Sequence, residues 1–145
     1  MRSRLGLIAG TMAIAALLLH MNSALAHGAL AVGQPSSVAN GGVAVGYTWN
    51  YDSEGDAQAD ALKQCLSYMD APDSTRALCK VVRVFSHQCV AIALDPNVGT
   101  EGFGWAVADT ESEASDRALQ ICKDTDGPEH ANDCSVPAYK CDQTP

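Results

Sequence analysis

The sequence predicts an α+β fold: a single domain of two pseudo-symmetric strand–strand–helix–strand repeats, sharing one mixed or mostly antiparallel sheet of about six strands, with two helices on one face and three disulfides. Three observations carry this expectation. Residues 110–122, TESEASDRALQIC, echo residues 53–65, SEGDAQADALKQC. Residues 87–93, HQCVAIA, echo residues 27–33, HGALAVG. All six cysteines lie beyond residue 64, and an even count in a short exported chain reads as a disulfide frame.

The first 26 residues read as a signal peptide and not as fold. Arg2 and Arg4 form its charged start, residues 5–19 are an apolar run, and Ala24-Leu25-Ala26 supplies the small-residue cleavage signal. The run is shorter than the ~20 residues a membrane-spanning helix needs. Cleavage would leave residues 27–145 as one exported domain with repeat halves at about 27–86 and 87–145. Losing Arg2 and Arg4 leaves 7 basic residues against 17 acidic ones, a net charge of −10. Such a field repels nucleic acid and anionic membrane surfaces and attracts a basic protein partner.

Residues 29–32 are a short apolar run, and residues 43–49 alternate Val, Val, Tyr and Trp with small residues, so both read as strands. Ser53 with Asp56 forms a capping box that starts the first helix. Ala57, Ala61, Leu62 and Cys65 then fall on one face of it. Because that stripe is mostly alanine, the helix can lie close against a sheet. Residues 69–77 read as a polar loop around Pro72, and residues 79–85 as a Val-rich strand.

The pattern then restarts. Residues 89–93 and 103–107 read as strands, separated by a loop of Asp, Pro, Asn and Gly. Thr110 and Glu113 form the second capping box, and Ala114, Ala118, Leu119 and Cys122 repeat the buried stripe. An Asp-rich loop leads to a last strand at residues 134–139. Gly104 reads as a glycine packed beneath the second helix.

The repeat narrows the fifteen pairings that six cysteines permit. Cys65 and Cys79 are matched by Cys122 and Cys134, so each pair closes locally, tying a helix end to the next strand. Cys89 and Cys141 remain to join each other.

The strands GYTW (46–49) and GFGWAVA (102–108), the AL-x-x-C helix ends, CKVV (79–82) and the downstream cysteines resemble the secreted bacterial domain-of-unknown-function 4189 family. The resemblance spans nearly all of residues 27–145. It implies an exported, disulfide-bearing single domain without an assigned activity, so it carries over no catalytic residues.

Candidate sites are few. Cleavage after Ala26 would expose the amine and imidazole of His27, which with His87 or His130 could make a copper-binding set of nitrogen ligands. Asp124, Asp126 and Glu129, with Asp133 beyond, offer oxygen ligands for calcium, and Asp95, Asn97 and Glu101 offer a thinner set. Neither has the twelve-residue spacing of a dedicated calcium loop. There is no GxSxG, HExxH or phosphate-binding loop, so an envelope hydrolase is a minor alternative and no cofactor is expected. The leading expectation is a non-enzymatic binding module for a basic protein. Tyr47, Trp49, Tyr51 and Trp105 read first as packing residues and second as an aromatic docking surface.

Overall fold

The computed structural model describes residues 26–142. Apart from Ala26, the expected signal peptide lies outside the described residues. The described residues form six strands, two long helices and two single-turn ones. In chain order they are β1 (His27–Gly33), α1 (Val38–Gly41), β2 (Ala44–Tyr51), α2 (Glu54–Leu66), α3 (Asp73–Arg76), β3 (Lys80–Phe85), β4 (Cys89–Leu94), β5 (Phe103–Ala108), α4 (Glu111–Asp126) and β6 (Ser135–Cys141). The single-turn helices sit in stretches whose polar composition reads as loop.

The α+β class, the antiparallel strands and the three disulfides are as the sequence predicts. The arrangement of the strands is not. They form two separate three-stranded sheets, β2-β1-β3 and β5-β4-β6, each antiparallel throughout. The physical reason lies in the central strands. Along β1, Ala29 and Ala31 point toward α2, while Leu30 and Val32 point to the opposite face and are equally buried. Along β4, Cys89, Ala91 and Ala93 face α4, and Val90 and Ile92 face away. A strand buried on both sides needs a second apolar partner. Each sheet finds it in the other, through a layer of Leu30, Val32, Phe85, Val90, Ile92 and Phe103. The helices therefore lie on the two outer faces, giving four layers in the order helix, sheet, sheet, helix.

The layers differ in what they contribute. Burying a Leu, Ile, Val or Phe side chain is worth about 1.5–3 kcal/mol, against ~0.8 kcal/mol for a single methyl. Most of the hydrophobic stabilisation thus comes from the layer between the sheets. The alanine-lined layers instead set how closely each helix approaches. Gly46 shows how close: a Cβ there would lie 2.1 Å from the Ala61 carbonyl oxygen. At Gly104 it would lie 2.3 Å from that of Ala118.

Both long helices start as their caps predict. Ser53 Oγ accepts the Asp56 N–H at 3.1 Å, and Thr110 Oγ1 accepts that of Glu113 at 3.2 Å. Gly127, at φ 83°, ends α4. The cysteines pair as Cys65–Cys79, Cys122–Cys134 and Cys89–Cys141. The first two tie each long helix to the chain that follows it, and the third crosses directly between β4 and β6.

Two polar contacts tie the halves together. Asp142 is buried; its Oδ1 accepts the Asn50 N–H at 2.7 Å and its Oδ2 the His87 N–H at 3.3 Å. Asn50 and His87 hold left-handed φ values of 59° and 55°, a region that asparagine and histidine enter more readily than most residues but at a higher cost than glycine. The buried carboxylate offsets that cost. At the other end, Glu101 accepts from Ser37 Oγ at 2.6 Å and from the Val38 N–H at 2.7 Å.

The Ser37 hydroxyl, then the Val38 amide, hold Glu101 below the usual glutamate range. A carboxyl with a depressed folded pKa contributes stability that is complete above its unfolded value and is lost as pH falls through the folded one. Glu101→Gln is therefore expected to be less stable than the parent at pH 7 and to converge on it in acid. Thermal midpoints measured from pH 7 to pH 3 check this; parallel curves would contradict it.

Candidate functional site

The structure brings together residues that the sequence keeps apart. Asp95 follows β4, Asp126 is the last residue of α4, and His130 and Asp133 lie in the loop before β6. Ligand atoms of Asp95, His130 and Asp133 all lie within 4.8 Å of one another. The His130 Nδ1 and Asp133 Oδ2 are 3.7 Å apart, and the Asp133 N–H donates to the His130 carbonyl at 2.8 Å.

Asp95 is 7% exposed, and its Oδ1 accepts the Asn97 N–H at 2.7 Å. Its Oδ2 is buried without a hydrogen-bond partner, and so is Asp126 Oδ1. The Asn97 amide holds Asp95 below the usual carboxylate range, while burial and the neighbouring Asp95 push Asp126 up. Gly102 admits this crowding, since a Cβ there would come within 2.8 Å of both carboxyl side chains. The Cys122–Cys134 bond fixes the loop against the helix end.

The expected metal sets assemble differently. His27 opens β1, His87 sits in the turn before β4, and His130 lies after α4; among the described residues these three do not form a group of ligand atoms within 4.8 Å. Nor do Asp124, Asp126 and Glu129. Asp124 instead accepts from Gln120 one helical turn back, at 2.8 Å. From the expected copper set only His130 enters the new cluster, where it meets Asp95 and Asp133, one from each of the two expected calcium sets. Glu101, the weaker calcium candidate, turns away to cap α1.

Of the grooves along the outer strands, one lies beside β5 and one beside β2. The larger, about 720 Å³, lies between β5, α4 and β3 and is lined by Phe103, Trp105, Val107, Ile121, Arg83 and Arg117. The other, about 450 Å³, lies between β2 and the end of α2 and is walled by Val45, Tyr47, Trp49, Tyr68 and Met69. Trp49 is 36% exposed and Met69 83%. The Tyr47 and Trp49 rings stack at 6.1 Å, and the Lys140 ammonium lies 4.9 Å from the Trp49 ring centre. Tyr47 and Trp105 pack in part against the layer between the sheets, whereas Trp49 stands at the surface.

Fold and frame define a disulfide-bonded α+β domain, and three disulfides are the mark of an oxidising environment. No helix among the described residues is long and apolar enough to cross a membrane. The chain belongs to the family described as a domain of unknown function (DUF4189), whose model matches residues 27–141. No curated protein and no solved structure matches the chain.

Proposed function

We propose that this protein is an exported, non-enzymatic interaction module that docks an extended segment of a basic protein in the groove beside β2. The observation that carries the reading is the pairing of a net charge of −10, once residues 1–26 are removed, with an aromatic groove walled by Tyr47, Trp49, Tyr68 and Met69. Charge of this size speeds encounter with a basic partner over distances of about a Debye length, ~8–10 Å. The groove then supplies the short-range anchor, since surface Trp, half-buried Tyr and exposed Met are residue types enriched in interfaces. Lys140 already shows that the face of Trp49 accepts a cation. The larger groove beside β5 carries two arginines and has the wrong sign for such a partner. The matched glycines, caps and disulfides of the two halves support their descent from one duplicated unit.

The test uses labelled peptides of alternating Lys and Leu, with a Glu and Leu counterpart, followed by fluorescence anisotropy. The basic peptide is expected to bind, to weaken as salt rises, and to lose at least about tenfold in affinity to a Trp49→Ala, Met69→Ala double variant, a loss of ~1.4 kcal/mol. Equal binding of the acidic peptide, or an undiminished affinity in the variant, would overturn the reading.

A further inference from the structure

We infer that Asp95, His130 and Asp133, with the Asp126 carboxyl beside Asp95, form a binding site for one divalent cation of the zinc or manganese class. Acidic side chains often crowd a surface without any ligand, so proximity alone would not suffice. What distinguishes this cluster is that Asp95 is more than nine-tenths buried and keeps one carboxylate oxygen without a partner, beside a second such oxygen on Asp126. A buried carboxylate oxygen left unsatisfied carries a full desolvation penalty, and a cation or a proton is what removes it. The convergence of His130 and Asp133 on the same point adds an imidazole nitrogen and a further carboxylate, which a shared proton does not require.

The donor set chooses the class of cation. Calcium and magnesium take oxygen ligands almost exclusively, whereas zinc and manganese accept a mixture of imidazole nitrogen and carboxylate oxygen. His130 therefore argues against calcium. The frame is also suited to hold such a set. Asp95 is fixed by its hydrogen bond to the Asn97 amide, Asp126 by the end of α4, and the loop bearing His130 and Asp133 by the Cys122–Cys134 bond. Ligands brought from β4, from α4 and from that loop would tie three elements of the second half together through the ion.

Calorimetry on chelator-stripped, oxidised protein tests the inference, with zinc chloride, manganese chloride and calcium chloride titrated separately. Zinc or manganese is expected to bind one to one. His130→Ala and Asp95→Asn are each expected to weaken binding at least tenfold. A His27→Ala, His87→Asn double variant is expected to leave the affinity unchanged; Asn at position 87 tolerates the left-handed backbone there. His130 has a half-exposed side chain, so its removal is not expected to unfold the chain and its result can be read directly. Absence of heat with zinc and manganese would leave a proton shared by Asp95 and Asp126 and overturn the inference. Binding undiminished in His130→Ala, or lost in the His27, His87 variant, would place the ion elsewhere and overturn it equally.

Discussion

Gly104→Ala is expected to lower the thermal unfolding midpoint by roughly 10 °C, as about 3 kcal/mol of overpacking in a domain of this size. The added Cβ would lie 2.3 Å from the Ala118 carbonyl oxygen and 2.6 Å from the Cys122 nitrogen, both in the backbone of α4. Neither atom can rotate away as a side chain would. The helix must lift from β5 instead, loosening Ala114, Ala118 and Cys122, which are fully buried beneath it. Gly46→Ala should behave in the same way, because the Ala61 oxygen and Cys65 nitrogen stand 2.1 and 2.5 Å from the corresponding point. Gly55→Ala serves as the control, since the nearest atom there is 3.8 Å away and alanine is the better helix former. Circular dichroism melts check all three variants. A Gly104→Ala midpoint within about a degree of the parent would show that α4 does not rest on β5 as closely as described.

Removing the bond between Cys89 and Cys141, as a Cys89→Ala, Cys141→Ala variant, is expected to cost about 4 kcal/mol, the largest single loss among the three disulfides. The two residues are 52 apart in sequence, against 14 and 12 for the other pairs, so this bond most restricts the unfolded chain. A folded-state effect adds to it. Asp142 follows Cys141, and its N–H donates to the Gln88 carbonyl while its carboxylate holds Asn50 and His87. Without the bond, the end of β6 frays more readily and those two left-handed residues lose their anchor. Urea unfolding under non-reducing conditions measures the difference. A loss below about 1 kcal/mol would mean that the bond closes a region already ordered in the unfolded ensemble.

Much of this fold is legible in the sequence because its two halves read each other. Ser53 and Thr110, Gly46 and Gly104, and Cys65 and Cys122 mark matching places, and the matching fixed the disulfide pairing by leaving Cys89 and Cys141 over. The division into two sheets was also written there, in a subtler form. Residues 29–32 read Ala-Leu-Ala-Val and residues 90–93 read Val-Ala-Ile-Ala, small on one side and large on the other. Alanine suits a close helix, and the large residues opposite require a second apolar layer; a sheet with both helices on one face would have left them in water.

The candidate cation site was less legible. Asp95 and Asp126 are separated by a strand, a loop and a helix, and only the packing of α4 on β4 and β5 brings their carboxylates together. No local spacing encodes that approach. Gly102 was the available signal, a glycine beside the crowded carboxyls, but its neighbours Gly99 and Gly104 mask it as ordinary loop and strand chemistry. His27 and His87 illustrate the opposite case. They stand at matching places in the sequence, which does not require them to meet, and in the structure one opens a strand while the other holds a left-handed turn.

Methyl-detected NMR on the oxidised protein tests the face-to-face sheets most directly. Nuclear Overhauser effects between the methyls of Leu30 or Val32 and those of Val90 or Ile92 are the expected result, because these side chains share the central layer. Backbone contacts joining β3 to β6 as neighbouring strands, with those methyls silent toward one another, would instead describe one continuous six-stranded sheet and contradict the account.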